Sequence, residues 1–310
     1  MKYILFIGNK VGYEALQIMI ELNCNIIHVF IEQEHSHEYE KYYNKSIEKC
    51  ESYNIKYTLN AKSNNIVEIF RSKIAAGEQI DYIISFGYRK IITEQMRKFA
   101  KIACIGTHFS PLPRYRGFAP LNWLLINGET QTAVNLFYLE DEVDSGDIIG
   151  REIVAIDYND DINSLLNKCI LALKNLMIRK IPELEQGIFS SEKQDESKAS
   201  YACARNPKDG IVNWLWSSRR IYNLVRALTY PYPGAYTYLD NKKIIVWTCE
   251  EYEVPKFEGA IPGKVIKIIK DSGIVVLCGE GAILLKDIQF ENGERKTADQ
   301  YISSIRITLG

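Results

Sequence analysis

The sequence predicts an α/β fold, a Rossmann-like, mostly parallel sheet followed by a small OB-like β-barrel. Three observations carry this. Up to Lys180, short apolar runs alternate with amphipathic helical stretches. Those runs are apolar throughout, as strands buried on both faces are. Beyond Ala235 the pattern changes to short strand-like runs at close spacing, cut by glycines.

In chain order, Tyr3 to Ile7 reads as a buried strand ended by Gly8, and Tyr13 to Leu22 as an amphipathic helix. Asn25 to Ile31 is a second strand. Tyr39 to Tyr53 and Ile66 to Ala76 have helical spacing. Asp81 to Gly87 and Ile102 to His108 read as further buried strands, and Thr132 to Leu139 as one more. Asp161 to Lys180 spaces its apolar residues as a helix does, closing a first domain over 1–189. Ser190 to Ser200 is polar, without an aromatic or large aliphatic residue, and reads as a linker over 190–204. The second domain, 205–310, opens with a helix over Ser218 to Leu228. The strand-like runs Lys243 to Trp247, Lys264 to Ile269, Ile274 to Leu277 and Ala282 to Leu285 follow.

Composition bounds the function. The chain has 310 residues, 38 Lys and Arg against 39 Asp and Glu, and a net charge of -1. That balance argues against a basic nucleic-acid binder, whose affinity comes from phosphate neutralisation. The seven scattered cysteines form no Cys-x-x-Cys pair, the pattern of reduced thiols in a cytoplasmic protein rather than a disulfide framework or zinc site. No apolar run is long enough to span a membrane, and the start of the chain is too short and uncharged for a signal peptide.

Gly8 and Gly12 lack the third glycine and the acidic residue after the second strand that a dinucleotide site needs, which favours a plain strand-to-helix turn. His35 and His37 lie among Glu32, Glu34, Glu38 and Glu40. A solvated loop is favoured over a metal site, because no third ligand is indicated. His108 ends a parallel strand, where open α/β sheets place their ligands. Val143-Asp144-Ser-Gly-Asp147 supplies carboxylates after another strand, so a His–Asp general-base pair is one reading and ordinary polar loops the other.

The string His108-Phe-Ser-Pro-Leu-Pro-Arg-Tyr-Arg-Gly117, then Ala-Pro, then Asn-Gly-Glu-Thr, then Asp-Ser-Gly-Asp147, resembles the 10-formyltetrahydrofolate-dependent formyltransferases. The likeness continues in Asp209 to Trp214 and Val225 to Tyr236, similar to the tRNA and sugar enzymes of that family. The resemblance implies formyl transfer from 10-formyltetrahydrofolate to a primary amine, without a metal. It implies that His108 and Asp144 are the catalytic pair. It places Ser110, Leu112 and Pro113 in a folate-lining loop, and Phe86, Gly87, Tyr88, Ile91 and Ile92 beside the pterin. Backbone groups from Glu140 to Val143 would bond the pterin. The family's Asn two residues before the histidine is Gly106 here. That amide donates to the developing oxyanion, and such a donor is worth about 10²–10³ in rate. Thr107, Asn122, Asn135 or a water could replace it; the enzyme could be slow or use a protonated His108; or the chain could bind folate and nucleotide without catalysis.

The string is most similar to sugar enzymes, which implies a nucleotide-linked amino sugar as acceptor. Glu32 to Glu51 carries six acidic residues against three lysines, unsuited to a tRNA stem, so methionyl-tRNA is the alternative acceptor and no nucleic-acid partner is expected. Arg114 and Arg116 are candidate ligands for a nucleotide diphosphate, against the alternative that Arg116 pins its loop by an ion pair. Trp214, Trp216 and Trp247 could stack a base, but core packing is favoured. A homodimer is left open.

Overall fold

A computed structural model describes residues 1–34 and 40–310. His35 and His37 lie outside the described residues. The chain forms two compact units, neither continuous in sequence. The first comprises Met1–Pro120, Gln131–Ala155 and Leu166–Cys203; the second Leu121–Thr130, Ile156–Leu165 and Ala204–Gly310. The stretch read as a linker therefore packs with the first unit as far as Cys203.

In chain order the elements are β1 Lys2–Gly8, α1 Asn9–Glu21, β2 Asn25–Glu32, α2 Tyr43–Ser52, β3 Tyr57–Leu59 and α3 Ser63–Ala75. Then come β4 Tyr82–Phe86, α4 Glu94–Arg97, β5 Ala103–His108, β6 Arg116–Gly117, α5 Pro120–Ile126, β7 Gln131–Tyr138, β8 Ile148–Ala155, α6 Ile162–Glu185 and β9 Tyr201–Ala202. The sheet order β3-β2-β1-β4-β5-β7-β8 starts with five parallel strands. β7 then runs antiparallel to β5, and β8 antiparallel to β7. The carboxyl ends of β1, β4 and β5 thus bring Gly8, Phe86 and His108 to one edge. Tyr3 to Ile7 is at most 1% exposed, and Phe6 stacks on Phe30 with centroids 4.7 Å apart, which explains the unbroken apolar runs.

The Gly8–Gly12 turn is a plain strand-to-helix turn. Asn9 Oδ1 accepts from the Val11 N–H (2.9 Å) and Asn9 Nδ2 donates to the Gly87 carbonyl (3.2 Å), so an asparagine fills the start of α1. An acidic residue does close the second strand: β2 ends at Glu32. Its carboxylate is buried and accepts from the Arg89 N–H at 2.9 Å.

The second unit holds α7 Ser218–Leu228, β10 Ala235–Leu239, β11 Lys242–Val246, β12 Cys249–Tyr252, β13 Val265–Ile269, β14 Gly273–Leu277, β15 Ala282–Leu285, β16 Asp287–Phe290, β17 Arg295–Thr297 and α8 Ala298–Tyr301. Its strands form two four-stranded antiparallel sheets, β10-β11-β16-β17 and β12-β15-β14-β13. The chain passes between the sheets at β11–β12 and β15–β16. Ser217 caps α7 by accepting from the Arg220 N–H. Trp214 and Trp247 are buried and donate to Thr237 and Gln289, so they pack the unit rather than offer a stacking face.

Cys203 is exposed; Cys50, Cys104, Cys169, Cys249 and Cys278 are buried, and burial pushes the Cys50 and Cys104 thiols up to about 12. Among the described residues no helix is long and apolar enough to cross a membrane, and no group of His, Cys, Asp and Glu could hold a metal.

His28 in β2 is 7% exposed; its Nε2 meets Thr58 Oγ1 at 2.9 Å and its Nδ1 has no partner. Burial first, then Lys73 and Lys56, lower its pKa to about 4 from 6.5. The folded chain keeps this imidazole neutral down to about pH 4, while the unfolded chain protonates it from about pH 6.5. Falling pH therefore favours unfolding across that window, by roughly 3 kcal/mol in full. The urea midpoint should fall between pH 7 and 4 more steeply in the wild type than in His28→Leu; equal slopes would remove His28 as the cause.

Candidate active site

Three segments of the first unit build the site. β5 ends at His108, which is 7% exposed. The loop 110–117 follows, folded on itself by Ser110 Oγ, which donates to the Arg114 carbonyl at 2.7 Å. Asn135 of β7 holds the turn out of β5: its amide donates to the carbonyls of His108 (3.0 Å) and Ser110 (2.6 Å). Arg151 of β8 donates to Asn135 Oδ1 (3.0 Å) and the Leu112 carbonyl (2.7 Å).

The loop between β7 and β8 supplies Asp144. Its φ is +54°, a left-handed conformation that costs a non-glycine residue about 1–2 kcal/mol. Gly146 lies against β7 so closely that a Cβ there would stand 1.8 Å from the Tyr138 carbonyl oxygen. Asp144 Oδ2 lies 3.3 Å from His108 Nδ1 and accepts the Gly117 N–H at 2.8 Å. His108 Nε2 is 2.7 Å from the Tyr115 carbonyl oxygen. Both ring nitrogens thus face oxygen atoms. A carboxylate-held imidazole at the end of a parallel sheet is the equipment of proton transfer.

The expected site residues divide. His108 and Asp144 come together. Arg114 is exposed, its guanidinium 5.3 Å from the Tyr115 ring centroid. Of the two readings of Arg116, a diphosphate ligand or a pin for its loop, the structure favours the pin, because the side chain is fully buried. Its guanidinium donates to Glu196 at 2.6 and 2.9 Å and to Gln194 Oε1 at 2.9 Å, so it pins the loop. Phe86, Ser110 and Leu112 are at most 2% exposed, so they wall the region rather than present side chains to a ligand. Tyr88 is partly buried with its ring 5.1 Å from that of Phe6. Gly87 accepts from Asn9 through its carbonyl, and Pro113 accepts the Ser200 N–H. Ile91 and Val143 are exposed apolar residues, 75% and 52%, and Glu140 is exposed.

At Gly106 a Cβ would meet Leu139 Cδ2 at 2.7 Å and Phe137 Cζ at 2.9 Å, so apolar side chains take that space. The candidate substitutes are engaged elsewhere. Thr107 Oγ1 donates to the Ser85 carbonyl, Asn122 Nδ2 to the Ala227 carbonyl, and Asn135 Nδ2 as described.

Sequence reasoning missed Arg97 and Gln194. Arg97 donates to the Ile92 carbonyl at 2.9 Å and pairs with Asp141, tying the segment after β4 to the loop after β7. A cavity of about 780 Å³ lies there, lined by Arg97, Leu139, Glu140, Asp141, Ser145 and Gln194 among others; of the expected pterin neighbours, Glu140, Asp141 and Glu142 line it.

An α/β sheet with a His–Asp pair serves many chemistries, and comparison with known proteins specifies the class. Residues 14–181 match the "Formyl transferase" family model, and residues 205–306 match "Formyl transferase, C-terminal domain". The chain belongs to the formyl transferase family. It is 36% identical over 261 residues to the bifunctional polymyxin resistance protein ArnA of Wigglesworthia glossinidia brevipalpis, covering 82% of this chain but only 39% of that protein. It shares its fold with an N-formyltransferase from Helicobacter canadensis in complex with folinic acid and dTDP-3-aminofucose, at 18% identity, TM-score 0.66 and coverage of 92% of this chain and 98% of that one. Methionyl-tRNA formyltransferase from Clostridium thermocellum gives 16% identity, TM-score 0.59 and coverage of 94% and 100%.

Proposed function

We propose that this chain transfers a formyl group from 10-formyltetrahydrofolate to the primary amine of a nucleotide-linked amino sugar. The observation that carries this reading is the His108–Asp144 contact at 3.3 Å. Supporting the acceptor are neighbours of the same fold, one in complex with dTDP-3-aminofucose and one in the presence of dTDP. In this reading the cavity of about 780 Å³ takes the pterin. Its size suits a small-molecule site, and its carboxylates suit the amino and ring N–H donors of a pterin.

The folate supplies a formyl carbon activated by its bond to N10. Transfer needs one proton moved each way. The acceptor amine loses an N–H as its N–C bond forms, and the folate nitrogen gains one as its C–N bond breaks. Asp144 holds Nδ1, so Nε2 is the atom that does this work. It exchanges the Tyr115 carbonyl for substrate, takes the amine proton and returns it to the departing nitrogen. A protonated Nε2 also donates toward negative charge on the formyl oxygen.

The test mixes the protein with 10-formyltetrahydrofolate and 3-amino and 4-amino sugars linked to dTDP, UDP and GDP, reading folate absorbance and product mass. A product heavier by one formyl group, absent with His108→Ala and little changed by salt, is expected. Formylated initiator methionyl-tRNA with steep salt dependence would replace the acceptor. Bound folate with no product from any acceptor would make the chain a binder.

A further inference from the structure

Gln194 lies in the polar stretch 190–200, yet it is 5% exposed and every polar atom of its side chain is used. Its Nε2 donates to the Asp144 carbonyl at 2.8 Å and the Gly146 carbonyl at 2.7 Å. Its Oε1 accepts from Arg116 Nη2 at 2.9 Å and Nε at 3.3 Å. An arginine only donates, so the amide oxygen must face Arg116 and the NH₂ must face the two carbonyls. The far side of Arg116 rests on the half-exposed carboxylate of Glu196. One relay therefore runs from the surface at Glu196, through two buried side chains, to the main chain of the left-handed Asp144. A second tie closes it, because Gly117, next to Arg116, donates to Asp144 Oδ2.

We propose that Gln194 is a positioning residue for the Asp144–His108 pair, an inference that rests on the formyl-transfer reading above. It fixes where the Asp144 carboxylate sits, and so which way the His108 ring points. The residues holding the pair thus come from the stretch that reads as a tether.

Gln194→Glu tests this at constant volume. The carboxylate still accepts from Arg116 but cannot donate to the two carbonyls. The expected kcat falls about 30-fold or more, the cost of a small misplacement, with KM for the formyl donor within about threefold. The ¹H resonance of the His108 Nδ1 proton facing Asp144, read in ¹⁵N-histidine-labelled protein, should shift or vanish while the amide spectrum stays folded. Unchanged kcat and resonance would overturn the proposal, and so would a fall in kcat with the resonance unmoved. If the wild type formylates nothing, the formyl-transfer reading fails, and the resonance alone decides the role of Gln194. If Gln194→Glu does not fold, Glu196→Ala on the exposed side of Arg116 carries the test. A shifted resonance with a kcat loss of about threefold or more supports the relay, and wild-type values overturn it.

Discussion

His108→Ala is expected to lower kcat by about three orders of magnitude while the protein still folds and binds the formyl donor. The substitution removes the one group placed to accept a proton from an amine and return it. It also removes the ring that Asp144 orients at 3.3 Å. The fold should tolerate the change. Asp144 Oδ2 keeps the Gly117 N–H at 2.8 Å, and Asn135 holds the strand end through the backbone. Single-turnover formyl transfer, with urea unfolding and folate titration as controls, measures this. Near-normal turnover would remove His108 from the chemistry. A matching loss of folate affinity would turn it into a binding residue.

Gly106→Asn alone is expected to gain nothing, whereas Gly106→Asn combined with Leu139→Ala should raise kcat about 10-fold or more. On a strand, 106 and 108 share a face, so an amide at 106 would stand beside His108 and supply an oxyanion donor. The space is taken: a Cβ would meet Leu139 Cδ2 at 2.7 Å and Phe137 Cζ at 2.9 Å. Forcing an amide into it costs about 1–3 kcal/mol of overpacking. Trimming Leu139 removes the nearest of these atoms and leaves the Phe137 ring room to shift. The comparison is kcat and the urea midpoint for wild type, each single variant and the pair. A rate gain in Gly106→Asn alone would show that the apolar wall yields. No gain in the pair would show that charge on the formyl oxygen is already met, with His108 the donor in place.

Much of this arrangement was legible in the amino-acid order. Apolar runs marked β1, β2, β4 and β5, because strands covered on both faces are mostly apolar, even with His28 inside β2. The helix read over Ser218 to Leu228 is α7, with the same bounds. Other parts were not legible. β3 has three residues, too few for a period. β8 carries Gly150, Arg151 and Glu152 in mid-strand, so its pattern breaks. Nothing local tells a strand that it will run antiparallel, as β7 does. Arg116 stayed open between a phosphate ligand and a loop pin because its partners lie 78 and 80 residues away. Gln194 sat in a polar run, and its burial depends on carbonyls contributed by another loop.

The pairing of β9 with β6 has a practical reach. Tyr201 and Ala202 lie parallel to Arg116 and Gly117, and the Ser200 carbonyl accepts the Arg116 N–H at 2.9 Å. A chimera that exchanges the carboxyl-terminal half for that of a relative would be cut, by composition, at the polar run after residue 189. Such a junction would import foreign side chains under Asp144. The crossover belongs after Cys203, so that each parent keeps its own brace.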